Sequence, residues 1–203
     1  MIQSERVGDV LTVTIDRADK ANSLTREMLN DLADHVENAG DAKVLILTGN
    51  GRVFSAGADL AEAVAGLAID PIWERLSGAI ARFDGFSIAA LNGTLAGGAF
   101  GMALACDLRI SVPTAKFFYP VMKLGFLPQP SDPVRMRALI GPSRTKLILM
   151  AGQKIRADEA LAMGLIDRIV SIDDFDTTLE TLTQDVIAAS PQQIAGIKRL
   201  VDE

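Results

Sequence analysis

The sequence predicts an α/β fold with mostly parallel strands. Three features point there: strand-like apolar runs, helix-like four-residue recurrences, and the alternation of the two along the chain. Val10-Leu11-Thr12-Val13-Thr14-Ile15 alternates in the period-two manner of a half-buried strand, and Gly8-Asp9 ahead of it predicts a hairpin with residues 2–7. Leu24, Met28, Leu32 and Val36 recur every four residues, widened by Leu29 and Ala33, which predicts an amphipathic helix. Val44-Leu45-Ile46-Leu47 is a continuous apolar run ending at Thr48-Gly49, as in a strand covered on both faces. Residues 87–91 and 107–112 read as two more such strands. Helices are expected over 72–83, 98–105, 133–140, 143–150, 157–163, 174–189 and 191–202. Gly141 and Gly164 fall where helix C-caps belong, and Pro133 and Pro191 where a first turn accepts proline. No linker, repeat or low-complexity tract breaks the chain, so residues 1–203 are expected to form one domain.

Composition narrows the class. The 203 residues are 49% hydrophobic, enough to bury a sizeable core. A net charge of −6 excludes the basic face that a nucleic-acid partner requires, and no Lys/Arg run suits an anionic membrane. One cysteine, Cys106, permits no internal disulfide, and the start Met-Ile-Gln-Ser-Glu-Arg lacks signal-peptide character; both point to a cytoplasmic protein. Residues 86–106 carry no charge and are long enough to cross a bilayer. Glycines 93, 97, 98 and 101 interrupt them, so a buried strand, a bend and a buried helix are expected instead. Asn92-Gly93-Thr94 is a chance glycosylation match.

Chemistry concentrates in two segments. Val53-Phe-Ser-Ala-Gly-Ala-Asp-Leu60 and the later pair Gly97-Gly98 each expose main-chain N–H groups at a small-residue bend. Two such donors aimed at one point hold a negatively charged oxygen. For Gly97-Gly98 alone, a tight strand-to-helix turn is the competing reading.

The chain resembles the crotonase superfamily, the enoyl-CoA hydratase/isomerase group, through four stretches. They are Ile46-Leu47-Thr48-Gly49 with Phe54 to Leu60; Ile88 to Ala99; Ala105-Cys106-Asp107-Leu108-Arg109-Ile110; and Ala151 to Ala160 with Gly164-Leu165-Ile166-Asp167. The resemblance implies a ClpP/crotonase-like spiral of ββα units. It implies an acyl-CoA thioester as substrate, with coenzyme A arriving as part of that substrate and no tightly bound cofactor or metal. It also implies a homo-trimer or hexamer. The oxyanion-hole amides map to Ala58 and Gly98, beside Gly97. Ala56, Gly57, Ala58, Asp59 and Leu60 map to the coenzyme A site, and Lys20-Ala21-Asn22 to the stretch near its pantetheine and phosphates. For Lys20 a plain solvated lysine is the alternative.

The departures matter as much. The resemblance places the two glutamates of a hydratase at positions 101 and 121, which hold Gly101 and Val121. Isomerases keep the second carboxylate, also missing, and the lysine often found two residues after the first signature's aspartate is Ala61. Two-glutamate hydration is therefore not expected; isomerisation or another enolate-forming step is, with a non-catalytic acyl-CoA-binding protein as the alternative. Asp132 is the best replacement carboxylate, although Ser131 or Asp132 before Pro133 reads first as a helix N-cap. Tyr119, the only tyrosine, could present a phenol or simply pack on its strand. Glu62, Asp70 and Glu74 fall in the segment after the first signature, which in relatives folds over the acyl chain; solvated side chains are the plainer reading, with entry into the pocket as the alternative. His35, the only histidine, lies on the first helix's flank, so a Ser-His-Asp triad and a zinc site lack their ligands. Cys106 reads as a buried, unreactive helix-end residue. Relatives add helices that cover the acyl pocket after a stretch like Ser190 to Leu200. Here the sequence ends at Glu203, so that cover is expected to be absent or supplied by a neighbouring subunit.

Overall fold

The computed structural model describes residues 1–202. In chain order the strands are β1 (Ile2–Val7), β2 (Val10–Ile15), β3 (Val44–Gly49), β4 (Val53–Ser55), β5 (Phe86–Leu91), β6 (Thr94–Ala96), β7 (Leu108–Ser111), β8 (Lys116–Phe118), β9 (Ile155–Arg156) and β10 (Arg168–Ile169). The helices are α1 (Arg26–Glu37), α2 (Leu60–Val64), α3 (Ile72–Ala81), α4 (Phe100–Ala105), α5 (Val121–Leu124), α6 (Ser131–Leu149), α7 (Ala157–Met163), α8 (Phe175–Ala188) and α9 (Pro191–Asp202).

Two sheets stack. The larger runs β1-β2-β3-β5-β7-β10, parallel throughout apart from the β1–β2 hairpin. The smaller runs β4-β6-β8-β9, with β4, β6 and β8 parallel and β9 antiparallel. Successive pairs β3–β4, β5–β6 and β7–β8 each give one strand to each sheet before the chain returns through helix, which generates a spiral of ββα turns. The two- and three-residue strands of the second sheet are too short to show a period, so most of it was not legible in sequence.

The core follows the patterning. Leu45, Ile88, Ala89 and Leu91 are fully buried, as a strand covered on both faces requires. α1 buries Met28, Leu29, Leu32, Ala33 and Val36, the predicted stripe. The chargeless stretch 86–106 becomes β5, β6 and α4, the last with every residue buried. No described helix is long and apolar enough to cross a membrane. Asn92 is buried, its Nδ2 donating to the Gly51 carbonyl and its Oδ1 accepting from the Gly49 amide, so it pins the β3–β4 turn. The helices expected over 133–140 and 143–150 run end to end as α6, broken only at Gly141 (φ 76°, ψ 168°) before Pro142. Gly164 caps α7 in the left-handed conformation.

Candidate functional site

The Ala58 bend is built by its neighbours. Ser55 Oγ donates to the Asn22 carbonyl at 2.8 Å and accepts the Gly57 amide at 3.1 Å. The Ala56 amide donates to the Ala21 carbonyl at 3.0 Å. Leu24 then bridges the segment: its amide donates to the Gly57 carbonyl and its carbonyl accepts the Asp59 amide, both at 2.8 Å. In such a parallel bridge the flanking groups turn toward Leu24, so the N–H of Ala58 between them turns the other way. Among the described residues it donates to no protein acceptor.

The second bend lies directly beneath. β6 ends in a tight turn, Gly97–Ala99, that feeds α4, with Gly97 at φ 58°. Amides opening a helix have no partner inside it, and the Gly98 N–H likewise meets no described protein acceptor. The two bends touch: a Cβ on Gly57 (φ 89°) would sit 2.9 Å from the Ala96 carbonyl and 3.4 Å from the Gly98 nitrogen. Only glycine lets the backbones approach this closely. Both bends wall one cleft of about 120 Å³, far above the roughly 10–15 Å³ one water needs. Trp73 closes one side, held by a 2.8 Å bond from Nε1 to the Leu67 carbonyl. Leu60, Leu124 and Leu127 line its apolar mouth and stay exposed.

Behind the wall lies a polar pair. Tyr119 lines the cleft just beyond β8, its ring stacked on Phe100 at 5.5 Å. Its hydroxyl donates to Asp132 Oδ2 at 2.9 Å. Asp132 is fully buried, and among the described residues its Oδ1 has no hydrogen-bond partner. Burial pushes the Asp132 carboxyl up to about 7; the Tyr119 hydrogen bond opposes this, the Glu74 charge adds to it, and Arg135 opposes it. Burial and then the Asp132 charge raise the Tyr119 phenol well above its ordinary value.

Several expectations change. Asp132 does not cap a helix: α6 starts one residue earlier, at Ser131, and the Asp132 side chain turns inward to Tyr119. Ser131 is no cap either, because its Oγ donates to Glu74 Oε1 at 2.9 Å and its amide donates there at 3.1 Å. Glu74 is thus half-buried and tied to α6 rather than solvated. Glu62 accepts from the Arg26 amide and Asp70 from the Ile72 amide, so both brace main chain. Gly101 looks like a free position in sequence, where alanine would be mild. In the fold a Cβ there would lie 2.8 Å from Asp132 Oδ1, so it is not. Tyr119 is packed, as one reading held, yet just past its strand and with its hydroxyl engaged.

Of the remaining sequence candidates, Ala56, Ala58, Leu60, Gly97, Gly98 and Val121 line the cleft with Tyr119. Asp59 instead caps α2 through the Ala61 amide and pairs with Arg17 at 2.9 Å. Ala21 (φ 51°) supports the Ala56 amide from outside, and Lys20 is exposed beside it. Cys106 is buried at the end of α4, and burial pushes its thiol up to about 12. Sequence reasoning missed Trp73, Gln129, which lines the cleft and donates from Nε2 to the Ala68 carbonyl at 2.9 Å, and the tie between Gly101 and Asp132. Only the unexplained glycine at 101 hinted at the last.

A two-sheet spiral of ββα turns is the architecture of the crotonase class of proteins. The sequence pattern of the enoyl-CoA hydratase/isomerase family matches residues 5–203, and the chain belongs to that family. The short-chain-enoyl-CoA hydratase of Clostridium acetobutylicum is 28% identical over 207 residues, spanning 98% of this chain and 79% of the relative. The carnitinyl-CoA dehydratase of Citrobacter koseri is 34% identical over 203 residues, spanning 96% and 77%. Among solved structures, an enoyl-CoA hydratase/carnithine racemase from Magnetospirillum magneticum superimposes with a TM-score of 0.91 at 28% identity, covering 99% of this chain and 79% of that one. Enzymes of this family act on coenzyme A thioesters without a tightly bound cofactor.

Proposed function

We propose that this protein binds an acyl-CoA thioester with its carbonyl oxygen between the Ala58 and Gly98 amides and forms an enolate there. The observation that carries this reading is that both amides lack partners among the described residues and wall the same cleft. An enolate gathers its charge on that oxygen, and each fixed donor in a dry site contributes about 3–4 kcal/mol to its stabilisation. The apolar mouth suits an acyl group, and Lys20 and Ala21, with the Ala56–Leu60 segment, hold the coenzyme A end.

Isomerisation or another enolate step is favoured over hydration. Hydration needs an acid and a base on two sides of a water, and neither Gly101 nor Val121 can supply one. The carboxyl of Asp132, with Tyr119, is the acid/base group beside the cleft. The same reading takes residues 1–203 as one domain that assembles as a trimer or hexamer in the cytoplasm, which sedimentation and fractionation check. The activity is tested by incubating butyryl-CoA with the protein in deuterated water and following the α-protons by NMR. Exchange at the α-carbon is expected. Tight binding without exchange for a series of acyl-CoAs would instead assign a non-catalytic acyl-CoA-binding role.

A further inference from the structure

We propose that Tyr119 is the group that meets the substrate, and that Asp132, in the space left by Gly101, acts only through it, as the acceptor of its proton. This rests on the enolate reading above. Tyr119 is part of the cleft wall, whereas Asp132 is fully buried and not part of it, so the member of the pair next to a substrate in the cleft is Tyr119 and not the carboxyl. The two are joined by the 2.9 Å bond from the Tyr119 hydroxyl to Oδ2. On the far side, Oδ1 points at Gly101 on α4 and has no partner. A buried polar atom left unsatisfied costs stability, and such exceptions call for a reason. Here the reason is geometric: a side chain at position 101 would evict the carboxyl, so glycine there is the condition for the pair to exist.

The step balances with no outside reagent. As the α-carbon–hydrogen bond breaks, the proton passes to the Tyr119 oxygen and the phenolic proton passes to Asp132 Oδ2. The carbon–hydrogen electron pair becomes the enolate, with its charge on the oxygen held by Ala58 and Gly98. Reversal returns a proton to carbon from the same face: at the same position this gives exchange with retained configuration, and at a neighbouring position of a conjugated enolate it moves the double bond, as a one-group isomerase requires. Of the elements packed on the pair, α3 brings Glu74, α6 brings Arg135, the Gln129 amide faces the phenol, and α4 brings no charge. With its carboxyl titrating at about 7, Asp132 can act in either direction near neutral pH.

Tyr119 is the only tyrosine, so 3-fluorotyrosine supplied during expression labels this ring alone and preserves its packing on Phe100. The fluorine resonance is expected to titrate with a midpoint near 7 that disappears in Asp132→Asn. In the butyryl-CoA exchange assay, Tyr119→Phe is expected to lower kcat by about 10²–10⁴-fold with KM changed less than about threefold. Asp132→Asn, which removes the acceptor of the phenolic proton, is expected to lower kcat at least as much and to erase the inflection near pH 7. Exchange surviving in Tyr119→Phe but lost in Asp132→Asn would overturn the relay and leave the enolate reading standing. A fluorine resonance that ignores pH between 5 and 9 would overturn the coupling whatever the variants do. An inactive wild type that still binds acyl-CoA would overturn the enolate reading itself.

Discussion

Placing a methyl group on Gly101 tests the packing argument without reference to activity. On helical propensity alone, Gly101→Ala should stabilise α4 by up to about 1 kcal/mol, since glycine is the costlier residue in a helix. The structure predicts the opposite sign. The new Cβ would lie 2.8 Å from Asp132 Oδ1, closer than real Cβ contacts allow. That oxygen cannot swing away freely, because the carboxyl is fully buried and its other oxygen is bonded to Tyr119. Overpacking of this kind costs about 1–3 kcal/mol, so a net loss of roughly 0–2 kcal/mol is expected. In an Asp132→Ala background the obstruction is gone and the propensity gain should emerge. The double-mutant cycle should then give a coupling of about 1–3 kcal/mol. Urea unfolding monitored at the single tryptophan, Trp73, measures all four proteins, with the midpoint as readout and an unchanged m-value as the check on two-state behaviour. Additive effects, or stabilisation by Gly101→Ala in the native background, would refute the proximity on which the site description depends.

The remaining predictions are shorter. Asp132 has a raised folded-state value, about 7 against an ordinary carboxyl, so the folded protein binds the extra proton between about pH 4 and 7. Its contribution to stability is therefore present at low pH and is lost as pH rises through that window, by an amount on the order of 4 kcal/mol. The stability difference between wild type and Asp132→Asn should consequently shift toward the variant from pH 5 to pH 8; a pH-independent difference would contradict the buried carboxyl. Gly57→Ala forces a Cβ 2.9 Å from the Ala96 carbonyl at a φ of 89°, and should cost about 2 kcal/mol or more and weaken acyl-CoA binding; calorimetry showing native affinity would contradict the contact between bends. Restoring glutamates at positions 101 and 121 together should not create hydratase activity unless Asp132 is also shortened to alanine, as monitored by crotonyl-CoA absorbance. Lys20→Ala should raise the dissociation constant for coenzyme A severalfold at low salt and less at high salt, since an exposed cation's pull on a phosphate is screened.

What the sequence revealed depended on how local each signal was. The strands β2, β3, β5 and β7 and the stripe of α1 carry their own periods, so their existence and faces follow from spacing alone. The paired bends at 56–58 and 97–98 were legible because glycine and alanine in those positions leave the main chain as the only chemistry. Asp132 shows the limit. Before a proline at a helix start, an aspartate has the local signature of a cap, and nothing within several residues says otherwise. What decides its role is Gly101, thirty-one positions away on another helix, together with Tyr119 just beyond β8. Glu74 was misjudged for the same reason: its partner, Ser131, is fifty-seven residues distant. Contacts of that separation write no period into the chain.

The most direct test concerns the carbonyl itself. An acyl-CoA carrying a ¹³C-labelled thioester carbonyl, bound to the protein and followed by isotope-difference infrared spectroscopy, reports the hydrogen bonds made to that oxygen. The account predicts a clear shift of the carbonyl stretch to lower frequency on binding, largely removed in Gly98→Pro, which lacks the second amide. A carbonyl frequency matching that of the free thioester in an apolar solvent, with the ligand demonstrably bound, would contradict it.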